Sequence, residues 1–134
     1  MKTLTILLTA LVLSVLCHEG GDLYAQESGE VTTLRSFGGH LRSGNIRVIL
    51  NMLTEPLLSE QKRLLETNPE YPQWLSNFYK NASLQIVGVK RVDAQQAIID
   101  IAIDRKNNEP LSKTRLILKL EGGKWKISEE VSDF

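Results

Sequence analysis

The feature that most constrains this chain is a change of period at Ser83. Before it, apolar residues recur three and four positions apart; after it, they alternate to the end. A chain that reads as helices first and strands second folds as α+β, with the helices stacked on one face of a sheet rather than interleaved with its strands. In "AIIDIAID", Ile99, Ile101 and Ile103 share one face and Asp100 and Asp104 the other; in "TRLILKL", Leu116, Leu118 and Leu120 oppose Arg115 and Lys119. Each run predicts a half-buried strand. The first strand, "SLQIVGVKRV", alternates less cleanly, and Gly88 within it predicts a bulge or bend. Turn signals at Asp93-Ala94, "RKNNEP" and Gly122-Gly123 allow four strands to run as an antiparallel meander. In the closing "LEGGKWKIS" the glycine pair suits a two-residue hairpin, and the alternation predicts Trp125 and Ile127 on the buried face.

Upstream, Leu34, Phe37, Gly38 and Leu41 give helical spacing over Val31 to Leu41, with Gly38-Gly39 as a close-packing point or kink. Ser43-Gly44-Asn45 offers a break and a cap before the stripe Ile46, Ile49, Leu50 and Leu53. Thr54 is placed to cap the next helix, which carries Pro56 in its first turn and buries Leu57, Leu58, Leu64 and Leu65. "TNPEYP" stops it, and Pro72 opens a short aromatic helix, "PQWLSNFYKN".

The N-terminus predicts export. Lys2 precedes an uncharged apolar run from Leu4 to Cys17, followed by the polar "HEGGDLYAQES", the layout of a secretory signal peptide. The run is shorter than the roughly 20 residues of a membrane span, so no transmembrane segment is expected. The domain division is then a signal peptide over 1-25, a loose leader over 26-30 and a single domain over 31-134. Cleavage after Ala25 discards Cys17, the only cysteine; the alternative is lipidation of Cys17, although Leu16 before it departs from the lipoprotein pattern. The product is expected to be periplasmic or extracellular. Of the 16 basic and 16 acidic residues, cleavage removes Lys2, Glu19 and Asp22, leaving 15 and 14 in a chain of 109. That near-neutral balance gives no electrostatic reason for a nucleic-acid partner. One core of ordinary size needs no disulfide.

The helical opening with "LRSGNIRVILNMLTEPL", the aromatic helix ending in "FYKNAS" and the meander closing in "LKLEGGKWKIS" resemble the nuclear transport factor 2-like superfamily. More narrowly, residues 30 to 131 are similar to its small exported bacterial members of unassigned function. The resemblance implies N-terminal helices on one face of a curved four-stranded antiparallel meander. It also implies a cone whose mouth can hold a small apolar ligand. Many such proteins carry extra strands between the early helices and the last one; none is legible here, which leaves the size of the sheet and the depth of the cone open. Superfamily members include isomerases, dehydratases and proteins that only bind or dimerise, so fold does not choose a chemistry.

Candidate chemistry is sparse. His40 is the one histidine beyond the signal region, and Asp100 or Asp104 could serve it only if their strand face turned inward, which the opposing isoleucines argue against. Asp100 and Asp104 stand about 13 Å apart at ~3.3 Å per residue, too far to act on one bond. With Arg115 and Lys119 on the neighbouring strand they predict cross-strand ion pairs. Tyr71, Trp74, Phe78 and Tyr79 are candidates to line an apolar pocket, against a simpler packing role under the sheet. Asn81-Ala82-Ser83 is a formal glycosylation sequon at a helix end. No phosphate loop, nucleophile elbow or clustered His and Cys ligands are present, so no metal or cofactor is expected. The leading expectation is a non-enzymatic exported domain binding a small apolar ligand or a protein partner. The alternative is a cofactor-free isomerase or hydrolyase using His40 or an aspartate in the cone, and a homodimer through the sheet face of Arg115, Ile117 and Lys119 is a third.

Overall fold

The change of period at Ser83 divides the structure where it divides the sequence. A computed structural model describes residues 28–106 and 108–132, so the signal-peptide reading and the first two leader residues lie outside the described residues. Among the described residues four helices, α1 (Gly29–Ser43), α2 (Ile46–Asn51), α3 (Leu57–Thr67) and α4 (Tyr71–Tyr79), precede four strands, β1 (Ser83–Asp93), β2 (Gln96–Asp104), β3 (Ser112–Glu121) and β4 (Lys124–Ser132). The strands form one antiparallel sheet in the order β1-β2-β3-β4, the meander expected, and the helices pack on its concave face.

Period decides burial. Leu34 and Leu41 of α1, Ile49 of α2, Leu57 of α3 and Leu75 of α4 meet Ile99, Ile101, Ile103, Leu116, Leu118 and Ile127 of the sheet in one apolar core. α1 runs unbroken through Gly38-Gly39 and ends at Gly44, whose φ of +68° is the left-handed cap that glycine adopts most cheaply. A Cβ there would also stand 2.9 Å from Ser76 of α4, so Gly44 lets the two helices approach. Asn45 then caps α2 by accepting the Val48 N–H at 3.4 Å. Gly122 and Gly123, at φ +56° and +77°, make the final hairpin turn.

Three expectations change in detail. α1 begins at Gly29, two residues earlier than the periodicity suggests, because Glu30 already belongs to its first turn. Thr54 does not cap α3 with its side chain: Pro56 occupies the cap position, after a cis Glu55–Pro56 peptide bond, and the Thr54 hydroxyl donates instead to the Glu121 carboxylate at 2.8 Å. β4 runs on past Ser128 to Ser132.

Both outer strands carry bulges. On β1, Ile86 pairs with Ile101 and Gly88 with Asp100, leaving Val87 as the extra residue beside the glycine. Alternation from Ile86 would aim Lys90 at the helices, but the bulge inverts the parity. Arg91 therefore lies opposite Ala97 on the concave face, where its Nη2 donates to Glu30 Oε2 at 2.7 Å and its guanidinium stacks over Trp125 at 4.9 Å. On β4, Leu118 pairs with Ile127 but Ile117 pairs with Glu129, so Ser128 is extra. Ser128 is fully buried, and its hydroxyl donates to the Ile117 carbonyl at 3.2 Å.

Glu30 is 3 % exposed. Burial pushes its pKa up, but its backbone hydrogen bond and Arg91 outweigh burial and hold it below the usual carboxylate range. A folded pKa below the unfolded one contributes stability that is complete above the unfolded value and is lost as pH falls through the folded value. Glu30→Ala is therefore expected to lose about 1–3 kcal/mol at neutral pH. In urea unfolding at successive pH values, the gap to the unsubstituted protein closes in acid; a gap that does not change with pH would show that Glu30 acts by packing alone.

Candidate functional site

The helices and the concave sheet face leave a cavity of ≈ 70 Å³ at the open end of the cone. Its walls are apolar: Leu53, Leu57 and Leu75 from the helical side, Ile101, Ile103 and Leu116 from the sheet. Its polar groups are Gln61, Tyr71, Tyr79, Thr114 and Glu130. The size is roughly half the ~150 Å³ that accepts a benzene ring, room for a few waters or a short alkyl chain.

The aromatic group of α4 is divided by the helical period. Tyr71, Leu75 and Tyr79, four apart, face inward, and both tyrosines line the cavity. Trp74 and Phe78 lie on another face of the helix and outside the cavity, Trp74 being 52 % exposed. The rings form a ladder: Tyr71 stacks on Trp74 at 5.8 Å, Trp74 on Phe78 at 4.9 Å, and Phe78 meets Tyr79 edge-on at 4.8 Å. Arg105 lies over Phe78 at 4.5 Å while paired with Glu109. The pocket-lining role considered for four aromatics thus has geometric support at two.

None of the three candidate acid–base residues lines the cavity. His40 is half-buried on α1, one turn before the Gly44 cap, and is not among the residues lining the cavity. Asp100 points to the convex face, where it accepts from Arg115 Nε at 2.8 Å and Nη2 at 3.1 Å, and the Arg115 hydrogen bonds hold its pKa below the usual range. Asp104 takes the Lys106 N–H at 3.0 Å and its ammonium at 3.4 Å.

The carboxylate that does reach the cone is Glu130, which the sequence reading passed over. Counting alternately from Ile127 puts Glu129 and Val131 inside; the Ser128 bulge reverses this and sets Glu130 opposite buried Leu116. The available signal was a serine following Ile127 inside a strand, too weak alone to mark a bulge. Glu130 is open to solvent on its outer side, yet protein crowds its carboxyl group. That burial raises its pKa, and the Glu60 carboxylate on α3 raises it further by repulsion. Burial likewise pushes the Tyr79 phenol up to about 12, with Glu130 adding to it. The Tyr71 phenol is raised by burial too, and its hydroxyl donates to Gln61 Oε1 at 2.6 Å. Both phenols are therefore neutral at physiological pH, and Glu130 has no hydrogen-bond or ion-pair partner among the described residues. No group of three or more His, Cys, Asp and Glu that could hold a metal occurs among the described residues.

The chain matches no family model, and no curated protein matches it. Among solved structures it is similar to an NTF-2 like protein of unknown function from Shewanella oneidensis MR-1, with a TM-score of 0.58 over 76% of this chain and 93% of that chain at 14% identity. At that identity the likeness shows the fold, which is nuclear transport factor 2-like.

Glu130 gives the opposite pH signature to Glu30. With a folded pKa above the unfolded one, the native state holds the proton more tightly, so stability falls as pH rises through the window between the two values. Glu130→Gln is expected to raise the melting temperature at neutral pH, with the gain vanishing in acid. Glu60→Gln should shift the Glu130 titration, followed by side-chain carboxyl NMR, back toward the ordinary carboxylate range.

Proposed function

We propose that this protein is a non-enzymatic binding domain whose cone takes a small ligand with a short apolar body. The observation that carries the reading is the cavity itself: hydrocarbon walls, with a few polar groups that could orient a ligand entering from solvent. An unpaired carboxylate with a raised pKa costs the folded state stability. Its position at the mouth of an apolar cavity is more economically explained by what enters than by what holds the fold.

The second reading is a cofactor-free isomerase or hydrolyase. Its nominated residues, His40 and Asp100, lie outside the cavity, so Glu130 would have to serve as its base. Proton transfer at one atom needs a base held in a fixed orientation. The lack of a hydrogen-bonded neighbour at Glu130 among the described residues favours binding over catalysis.

We extend the proposal to the cell. The N-terminal 25 residues direct export, by cleavage after Ala25 or by lipidation at Cys17, and no helix among the described residues is long and apolar enough to cross a membrane. The convex face offers a homodimer surface at Ile117, which lies opposite Ile98 beside the Asp100–Arg115 pair and Lys119.

Two measurements test these statements. In methyl NMR, 1-butanol is expected to shift the Ile101 and Leu116 methyls, and in Ile101→Phe, which fills the cavity at a cost of about 1–3 kcal/mol, the Leu116 shift is abolished. Unmoved methyls in the unsubstituted domain would end the binding reading. Native mass spectrometry of the full chain expressed with its leader in a bacterial envelope is expected to show a dimer whose chains begin at Gln26. A monomer removes the dimer surface, a lipid-bearing Cys17 replaces release by anchoring, and an unprocessed chain in the cytoplasm overturns export.

A further inference from the structure

Glu130 is more specific than a generic polar rim requires. Two other acids beside the concave face have partners: Glu30 has Arg91, and Glu121 accepts the Thr54 hydroxyl. The nearby cations are also engaged. Arg105, the positive group closest in effect to Tyr79, is stacked on Phe78 and paired with Glu109, and Arg115 holds Asp100 on the opposite face. Glu130 at the mouth therefore feels the repulsion of Glu60 on α3, and no cation among the described residues offsets it.

We propose that the mouth of the cone is a site for a short-chain primary amine, bound as its ammonium ion by Glu130 with its alkyl body in the cavity. This rests on the binding reading above and names the ligand class.

An ammonium group has three donors and no acceptor. The mouth offers the complementary set: the two oxygens of Glu130, and the phenol oxygens of Tyr71 and Tyr79, whose hydroxyls remain protonated. Because Tyr71 donates its own proton to Gln61, its lone pairs are left to accept from the ligand. The two tyrosine rings add faces of negative quadrupole potential. Glu60 contributes a second negative charge from α3, and a cation converts the repulsion between it and Glu130 into attraction for both.

The alternatives fit less well. A carboxylate ligand would add a third negative charge, and an alcohol would leave the repulsion in place. A divalent metal lacks a donor set among the described residues. Size restricts the alkyl part to on the order of three or four carbons inside ≈ 70 Å³, since about 150 Å³ takes a whole benzene ring.

The test compares ligands of one length and three charges. The domain, labelled at its methyl groups, is titrated at neutral pH and constant ionic strength with n-butylamine, 1-butanol and butyrate, following the Ile101 and Leu116 methyls. The amine is expected to bind at least about tenfold more tightly than the alcohol, and butyrate to leave both methyls in place. Glu130→Gln should bring the amine down to the affinity of the alcohol. Equal binding of amine and alcohol to the unsubstituted protein overturns the amine proposal and leaves the apolar cavity as a binding site. If none of the three moves these methyls, both readings fall together.

Should Glu130→Gln fail to fold, acidification supplies the same contrast without substitution. The groups facing Glu130 are Glu60 on α3 and Tyr71 and Tyr79 on α4, with Arg105 facing Tyr79. The phenols stay neutral across mildly acid pH, and Glu130, whose pKa burial raises, takes up its proton there. Amine affinity should fall toward that of the alcohol across this interval while the alcohol's stays level. An amine affinity that does not respond to acid would overturn the proposal.

Discussion

The arrangement of this cone depends on one extra residue in its last strand. Ile127 exchanges backbone hydrogen bonds with the segment after α2: the Thr54 N–H donates to its carbonyl at 2.8 Å, and its own N–H donates to the Met52 carbonyl at 2.9 Å. That fixes β4 against the helical layer on one side while β3 holds it on the other. Beyond this point the strand cannot continue in simple alternation, because Ile127 and Ser128 are both buried. Ser128 satisfies its hydroxyl on the Ile117 carbonyl and leaves the ladder one residue out of step. Every later side chain of β4 changes face. Glu130 reaches the cavity by this geometry, and Glu129 is turned away.

The bulge at Val87 performs the same inversion on the opposite edge, with a different energetic outcome. It brings Arg91 to the concave face, where a buried carboxylate and an indole ring receive it, so the inverted charge closes the start of α1 onto the sheet. Trp125 completes that contact: a Cβ on Gly29 would lie 3.0 Å from the indole, so the glycine lets the helix start settle on the ring. The β4 bulge brings in a charge that nothing described receives. Two topologically similar devices thus give one closed end and one open end to the same cone. The closed end consumes its charges in the fold; the open end leaves one exposed to whatever enters.

Much of this was legible in the sequence. The period change separated helices from strands, Gly122-Gly123 located the hairpin, and the opposed Ile and Asp faces of β2 put Asp100 where Arg115 holds it. These features are local or depend on a strict period of two, and a single sequence reports such things well. Glu130 was hidden for the same reason. Parity carries along a strand only until a bulge, and the β4 bulge is fixed by the loop around Met52 and Thr54, more than seventy residues earlier in the chain. Thr54 misled in a related way: its type and place suit a helix cap, but the carboxylate of Glu121 at the far end of β3 is the better partner. The aromatic helix needed only its own period to be divided. Taking Tyr71 with Tyr79 and Trp74 with Phe78, rather than all four as a group, follows from four-residue spacing.

The four-stranded sheet also explains why the cavity is small. The apolar stripes of four short helices converge on a concave face that is already lined with isoleucine and leucine, and the core fills to within a few water volumes of completion. Such an interior has little depth with which to recognise a ligand by shape. On the proposed binding reading, discrimination falls on the mouth, where burial and the neighbouring Glu60 make charge the strongest variable. Neutral phenols held by desolvation and a carboxylate kept from any cation suit a site that selects by charge first and by length second. In a deeper cone of the same fold, shape could carry selectivity; under the proposal made for this cone, the bulge that turns Glu130 inward is what supplies the discrimination its small interior cannot.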